Sequence, residues 1–287
     1  MNATIDFIEK SKENILIVYS QIKDLFEKHR NKISKLRYVD FNQGVDARLI
    51  TEEKMQILSE IPINPLRIAF DNLSFKDIYV NSIHIAAKYG IKNLSNYLLY
   101  NEKDRPEELY ERLKINVLLS EELDINIYSF PMKFHPITGE KHLNRDFLGE
   151  HWNRKYIRAV QAILNSTKGK IGRGESFFYE AFGKNLAEYN KILLMPETYI
   201  LYRFFFKDMG FTDKWWMEYN NLTECQRNTT LEIIKTNNFN NIESHTSDRT
   251  IINFLKEHYF VRREDINNSK SEIYKLKEEY DKHRKNR

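Results

Sequence analysis

The stretch of sequence that decides the fold is LRYVDFNQGVDARLITEEKMQIL, residues 36–58. Its first part, Leu36–Phe41, is short and rich in aromatic and β-branched side chains, which favours a β-strand. Asn42-Gln43-Gly44 then predicts a loop, because glycine adopts positive φ at no steric cost. Thr51 predicts a helix cap followed by Glu52 and Glu53, whose carboxylates meet the positive end of the helix dipole. The stretch therefore predicts a strand, a loop and a helix in succession.

The same succession recurs downstream at intervals of about thirty residues. Three further strands are predicted, each a short apolar run: Leu66–Phe70, Leu94–Tyr100 and Ile125–Phe130, the last stopped by Pro131. Helices are predicted between them, at Phe75–Tyr89 closed by Gly90 and from Pro106, which suits a first helical position. This alternation is typical of right-handed βαβ units and a parallel sheet.

The flanks of this region lack the strand–helix rhythm. Apolar residues at three- and four-residue spacings predict an amphipathic helix over Glu13–Arg30. Beyond Thr138 the sequence predicts a mainly helical appendage, then an Asn- and Ser-rich loop at Asn237–Thr250 and a charged helix or tail at Asn267–Arg287. The expected domains are an N-terminal helix (1–35), the βα region (36–139), the helical appendage (140–236), and the loop with the charged tail (237–287).

Four parallel strands in a row form an open sheet unless further strands come from elsewhere. The expected fold class is α/β: an incomplete, partial TIM-type parallel βα barrel with a C-terminal, mainly helical appendage. A flavodoxin-like sheet with a switch point near Asn42 is the alternative. In both arrangements ligands bind at the carboxyl ends of the strands, which here carry Asn42–Arg48, Asp71 and Asn72, Asn101–Asp104, and Pro131–His135.

Composition limits the classes of function. The formal net charge of +4 is small against 45 basic and 41 acidic residues, so nucleic-acid binding is permitted but not indicated. No apolar run approaches the roughly 18 residues of a membrane span, and Met1–Lys10 lacks the pattern of a signal peptide, so we expect a cytoplasmic protein without membrane contact. Cys225 is the only cysteine, so this chain alone offers no disulfide and no thiolate set for an iron–sulfur cluster.

Four segments together resemble the radical S-adenosylmethionine (SAM) superfamily. YVDFNQGVDARLITEEKMQIL is followed by LRIAFDN, by AAKYGIKNLSNYLLYNEKDRPEELYERL and by DINIYSFPMKFHPITG. Their order and spacing over residues 36–139 resemble the middle and last strands of that family's partial TIM barrel. The family's Cys-x3-Cys-x2-Cys loop is missing from the sequence, and Cys225 lies in the predicted appendage, where it is not a candidate ligand.

The resemblance implies a barrel with a [4Fe–4S] cluster and SAM at its mouth, where reductive cleavage of SAM starts radical chemistry. It places these residues near SAM: Asn42, Gln43, Asp46, Arg48, Asp71, Asn101, Phe130, Pro131 and Met132. Arg48 is the expected contact to the SAM carboxylate or to a phosphate-type group, because a planar guanidinium binds bidentately. An ordinary ion pair of Arg48 with Asp46 or Glu52 explains the same spacing.

Because the cluster ligands are absent, three interpretations of the chain remain open. It is a truncated reading frame, one half of a split enzyme whose cluster half comes from upstream sequence or a second chain, or a degenerate relative without cluster chemistry. The competing hypothesis is a non-catalytic α/β module that binds nucleic acid or a protein partner. The sequence predicts neither the substrate nor a catalytic residue.

Three further motifs could indicate binding sites, and each has a plainer explanation. Gly149–Arg158 interleaves aromatic and basic residues as nucleic-acid surfaces do, but packing of an amphipathic helix explains its spacing. Lys168–Glu175 is a basic, glycine-rich turn without the strand and the Lys-Ser/Thr ending of a P-loop, so we interpret it as a helix connection. His135, His142 and His151 lack the spacing of metal ligands, and no metal site is predicted.

Overall fold

A computed structural model of the chain describes residues 2–21, 23–29, 37–144 and 146–285. The protein is α/β, with 61% of residues in helices and an open three-stranded parallel sheet. The strands are β1 (Leu66–Arg67), β2 (Asn93–Tyr100) and β3 (Asn126–Lys133), and they lie in the order β1-β2-β3. The α/β class is therefore confirmed, whereas a partial barrel stays a prediction.

Helices make up most of the described chain. Before and within the sheet they are α1 (Asn2–Gln21), α2 (Lys23–His29), α3 (Glu52–Ser59), α4 (Lys76–Lys88) and α5 (Pro106–Glu122). After β3 they are α6 (Arg154–Ser166), α7 (Glu175–Phe182), α8 (Leu186–Leu194), α9 (Glu197–Leu201), α10 (Arg203–Asp208), α11 (Phe211–Asn221), α12 (Glu224–Thr236), α13 (Arg249–Tyr259), α14 (Arg263–Asn267) and α15 (Glu272–Lys285). Short 3-10 helices lie at Ala47–Leu49, Leu73–Phe75, Glu140–Leu143 and Ile242–Ser244.

The chain forms two compact units. The first consists of Met1–Asn96 with Leu118–Tyr128, and the second of Tyr97–Val117 with Ser129–Arg287. The three chain boundaries between them lie within β2, within α5 and within β3. The domain limits expected from the sequence, at residues 35, 139 and 236, divide the chain differently and stay predictions.

Local capping chemistry places the helices of the βα region. The Thr51 hydroxyl accepts a hydrogen bond from the Lys54 amide at 3.3 Å, which satisfies one of the free donors at the start of α3. Pro106 is the first residue of α5, where a missing N–H costs nothing, as predicted. Gly90 follows α4 with φ of +78°, a left-handed conformation that glycine adopts without strain. These three predictions are confirmed.

The predicted strand over Leu36–Phe41 is wrong for its described part, which forms one isolated bridge, at Val39, and a second isolated bridge follows at Val45. Val39 pairs with Ile63, and Val45 pairs with Ile68, both in parallel. The facing segment contains Pro62 and Pro65, which have no N–H to donate to a ladder. The chain also turns between the bridges, where the Gly44 amide donates to the Phe41 carbonyl at 2.7 Å. Continuous pairing is therefore interrupted, and Leu36 itself lies outside the described residues.

The last strand does not stop at Pro131, as the sequence suggested, but continues through it to Lys133. Proline is tolerated at the edge of a sheet, and β3 is an edge strand. The Ser129 amide points to the open side of β3, away from β2, because it donates to the Ile171 carbonyl at 2.7 Å. Amides two residues apart point to the same side of a strand, so the N–H that Pro131 lacks would also have pointed outward. The pairing of β3 with β2 therefore does not need an N–H at Pro131.

The flanking predictions are confirmed in kind, with shifted limits. The N-terminal helix begins at Asn2, before the predicted Glu13, and the appendage is mainly helical, from α6 to α12. The predicted loop at Asn237–Thr250 contains a 3-10 helix and the first residues of α13, and the charged tail is α15. None of the helices in the described ranges combines the length and the apolar run that crossing a bilayer requires.

Each unit has its own core. In the first, α3 and α4 bury Met55, Leu58, Tyr79 and Ile83 together with Leu66 and Ile68 of the sheet region. In the second, α6 packs against α8, α9 and α12. Its interior is largely aromatic, with Tyr110, Phe178, Phe182 and Tyr189 in one group of ring contacts and Tyr199, Phe205, Phe206 and Phe211 in another.

Candidate functional site

The 42–48 loop, residues Asn42–Arg48, carries four of the predicted cofactor-binding residues in the first unit. It is fixed at one point, where the Val45 amide donates to the Arg67 carbonyl at 2.8 Å and the Ala69 amide donates back to the Val45 carbonyl at 3.0 Å. Asn42 and Gln43 lie in the turn before Val45 and are exposed. The loop therefore presents polar side chains to solvent from an anchored backbone.

Asp46 and Arg48 form an ion pair within this loop. The Arg48 Nη2 atom lies 2.6 Å from the Asp46 Oδ2 atom, and the two side chains are 59% and 37% exposed. Asp46 also caps the following 3-10 helix by accepting from the Arg48 amide at 2.9 Å. Hydrogen bonds from the Arg48 side chain, then from its amide, lower the pKa of Asp46 below its usual value. The guanidinium lies 5.2 Å from the ring centroid of Phe75. The plain ion-pair interpretation of Arg48 thus describes its geometry.

The remaining predicted residues are placed differently. Asp71 is exposed and directly precedes Asn72, which caps a 3-10 helix. Phe130, Pro131 and Met132 lie within β3, and successive residues of a strand point to opposite faces. Phe130 and Met132 therefore share one face, Pro131 is buried on the other, and Met132 is 48% exposed. The strand does not bring all three side chains to one ligand surface.

Asn101, at the carboxyl end of β2 in the second unit, is fully buried, and its side chain is occupied by internal hydrogen bonds. Its amide nitrogen donates to the carbonyls of Phe134 and Phe147 at 3.3 and 3.1 Å. Its amide oxygen accepts from the Gly149 amide at 2.9 Å. A Cβ atom at Gly149 would lie 2.3 Å from the Glu102 carbonyl oxygen, so only glycine allows this close approach. The Asn101 side chain thus links the end of β2 to the backbone at Phe134 and to the backbone at Phe147 and Gly149.

Asp104 and Arg112 continue this buried network. Arg112 is 0% exposed, and its Nη2 atom lies 3.2 Å from Asp104 Oδ2 and 2.8 Å from the Leu99 carbonyl. The indole N–H of Trp152 donates to the Asp104 carbonyl at 2.8 Å. Burial raises the pKa of Asp104, against the lowering effects of the Glu102 amide and Arg112. We call Asn101, Asp104, Arg112 and Trp152 the β2-end network.

The residues whose geometry could hold a metal are not the histidines that follow the last strand in the sequence. The ring nitrogens of His135 and His142 lie 2.9 and 2.6 Å from the carbonyls of His142 and Gly139, contacts within their own loop. Among the described residues, Glu218, Glu257 and His258 place one ligand atom each within 4.8 Å of one another. The ammonium of Lys214 is ion-paired with both carboxylates, which places a cation there already.

His258 takes part in a buried polar chain of the second unit. Its Nδ1 atom lies 3.1 Å from the Tyr199 hydroxyl, and its Nε2 atom lies 2.8 Å from Glu218 Oε2. The imidazole is 1% exposed. Both ring nitrogens therefore have partners, which is how a buried polar side chain is normally satisfied. The partners lie about forty residues or more away in the sequence, so no local motif could have revealed the arrangement.

Searches against protein-family models, curated proteins and solved structures found no match to this chain.

Sequence reasoning also missed a groove in the second unit and a buried lysine beside it. The groove has a volume of about 970 Å³ and is lined by residues of α6 and the segment before it, by the end of α12 and the two residues after it, and by Lys133 of β3. Lys155, on α6, is fully buried, and its Nζ atom donates to the Met195 carbonyl at 2.5 Å. Burial lowers the pKa of Lys155 to about 7. In the sequence motif Gly149–Arg158, Trp152 and Ile157 are buried, as the packing interpretation of that motif predicts. The lining by Arg154 and Arg158 was not foreseen.

Proposed function

We propose that this chain supplies the later βα units of a radical SAM-type partial barrel, with the cluster-bearing units coming from other sequence. The observation that carries the proposal is the order of the strands. β1, β2 and β3 are adjacent in chain order, and the bridges of Val39 and Val45 align a fourth segment in parallel beside β1. A doubly wound sheet reverses its strand order at a switch point, whereas a barrel adds strands in sequence. The order thus favours a barrel over a flavodoxin-like sheet.

The chain's own residues do not fit an iron–sulfur cluster. Such a cluster needs several thiolates, and Cys225 is the only cysteine, exposed in the first turn of α12. No step of SAM cleavage is therefore assigned to a residue of this chain. Its proposed part is positioning, for which the 42–48 loop is better suited than the β2-end network. The Asp46–Arg48 pair is exposed and can exchange partners, whereas Asn101 is already saturated.

The test has two arms, one on the chain alone and one on the assembly. The purified 287-residue chain, reconstituted anaerobically with iron and sulfide, is expected to hold no stoichiometric [4Fe–4S] cluster. An affinity-tagged copy purified anaerobically from its own cells is expected to bring a cluster-bearing polypeptide and to release 5′-deoxyadenosine from SAM when reduced. A four-iron cluster in the isolated chain would overturn the proposal that the cluster ligands come from other sequence. A cellular assembly without SAM cleavage would overturn the function.

A further inference from the structure

The groove of the second unit has a lining that is cationic and rich in amides. We call it the α6–α12 groove. It lies between the first turns of α6 and the end of α12, and the lining side chains that matter here are Lys133, Arg154, Gln161, Lys235, Asn237 and Asn238. Its volume of about 970 Å³ is at the upper end of what small-molecule sites occupy, so it can hold more than one nucleotide-sized group.

The charges of the groove favour a polyanion. Its lining includes four cationic side chains, the three above and Arg158, against two carboxylates, Asp146 and Glu232. Arg158 is held by Glu197 through hydrogen bonds of 3.0 and 2.6 Å from its Nε and Nη2 atoms. Three cations are therefore available for exchange.

The ion pairs that these cations make are easily replaced. Arg154 lies 3.3 Å from Asp146, whose side chain is 71% exposed. Lys235 lies 2.7 Å from Glu232, whose side chain is 72% exposed. Exposed pairs of this kind contribute little to stability, so phosphates can displace the carboxylates at little cost.

The amides distinguish between two kinds of polyanion. Gln161, Asn237 and Asn238 each carry amide N–H donors and an amide oxygen, as base edges do, and the Asn238 Oδ1 atom accepts from the Asn240 amide at 3.1 Å. The side chains of an acidic peptide only accept, so they can use the amide N–H groups and leave the amide oxygens to the peptide backbone, whereas base edges pair with both groups. Bases in a duplex are not open at their Watson–Crick edges, whereas those of a single strand are. The mixture of cations and amides therefore suits a single-stranded nucleic acid better than an acidic peptide.

We propose that the α6–α12 groove binds single-stranded nucleic acid, with Lys133, Arg154 and Lys235 contacting phosphates and the three amides contacting bases. This site lies wholly within the second unit and does not depend on the radical SAM proposal. With about three phosphate contacts, the logarithm of the association constant is expected to fall with the logarithm of salt concentration with a slope of about −2.

The experiment measures binding of the 287-residue chain, without cluster or SAM, to a fluorescein-labelled single-stranded RNA or DNA of about 12 nucleotides by anisotropy. The decisive variant is Arg154→Glu, matched with Arg249→Glu. Each arginine is the first residue of a helix behind an Asx cap, Asn153 for α6 and Asp248 for α13, and Arg249 does not line the groove. A carboxylate at this position meets the positive end of the helix dipole in both variants, so both are expected to fold.

Arg154→Glu is expected to weaken binding by about tenfold and to reduce the salt slope by about 1, whereas Arg249→Glu changes the affinity less than about twofold. A second pair, Lys133→Gln in the groove and Lys184→Gln outside it, should show the same contrast. The proposal is overturned by an absence of binding at low salt, by equal effects of the two arginine variants, or by equal competition from polyglutamate.

Discussion

The 42–48 loop and the β2-end network follow strands of the same predicted kind and consist of similar polar residues, yet they differ in what those residues can do. In the loop, Asp46 and Arg48 are 37% and 59% exposed and pair only across two positions of sequence. In the network, Arg112 is fully buried and Asp104 is 13% exposed. An exposed pair can be exchanged for a ligand, whereas a buried pair leaves an uncompensated charge when it is broken. Burial therefore decides which of the two regions is available for binding.

The largest effect is expected from Arg112→Met. The substitution keeps most of the apolar volume but leaves the Asp104 carboxylate buried without its counter-ion and leaves the Leu99 carbonyl without the guanidinium donor. Removal of one partner of a buried pair costs about 3 to 5 kcal/mol, so the free energy of unfolding should fall by that amount. Urea denaturation followed by circular dichroism measures it. A loss below about 1 kcal/mol would mean that the buried ion pair contributes no more to stability than an exposed one, which contradicts the contrast between the two regions.

A substitution of Lys155 tests whether burial without an ion-pair partner is also costly. The pKa of Lys155 is about 7 in the folded protein, against 10.5 for an ordinary lysine. Between these values the unfolded chain binds more protons, so stability rises as the pH rises and is lost as the pH falls towards 7. From pH 7 to pH 9 the wild type should gain about 1 to 3 kcal/mol relative to Lys155→Met.

The measurement for Lys155 is the difference in unfolding free energy between the two proteins across this pH range. Titration of other groups affects both proteins alike and cancels in the difference. If the difference does not change with pH, Lys155 carries its proton in the folded state, and the neutral buried amine is ruled out.

A smaller effect is expected from Gly149→Ala, which tests how tightly the β2-end network holds its loop. The added Cβ atom would lie 2.3 Å from the Glu102 carbonyl oxygen and 2.8 Å from the Asn101 carbonyl carbon, both backbone atoms. Overpacking of this kind costs about 1 to 3 kcal/mol. Gly139→Ala is the control, because a Cβ atom there meets nothing within 4 Å and only its φ of +78° is strained. A Gly149 variant less affected than the control would indicate a loosely packed loop.

The smallest change in stability is expected from Arg48→Met. It removes an exposed ion pair and a contact with Phe75, so the free energy of unfolding should stay close to that of the wild type. The affinity of the complete assembly for SAM should nevertheless fall by about tenfold if Arg48 binds the SAM carboxylate. Isothermal titration measures it, and an unchanged affinity would remove Arg48 from the site.

Local chemistry predicted the helices better than the strands. Thr51 and Pro106 act within one turn of the chain, so their roles are visible in the sequence. The strand expected at Leu36–Phe41 depends on a distant partner segment, and Pro62 and Pro65 in that segment limit the pairing. The same reason explains why the strand end at Pro131 was misplaced, because tolerance of proline depends on β3 lying at the edge.

The candidate site was predictable as a set of residues but not as an arrangement. The sequence pointed to both Arg48 and Asn101, and only the structure shows that Asn101 makes three internal hydrogen bonds. The α6–α12 groove was not foreseen, since Arg154 and Lys235 come from helices far apart in the sequence. Burial and tertiary proximity are properties of the packed chain, and no local pattern carries them.

The most direct measurement of the central claim is photo-labelling of the anaerobically purified cellular assembly with an azido derivative of SAM, followed by mass spectrometry of the labelled peptides. We expect label on the peptide that contains the 42–48 loop, competed by excess SAM and reduced by Arg48→Met. Label confined to other polypeptides or to peptides outside the strand ends of this chain would contradict the claim.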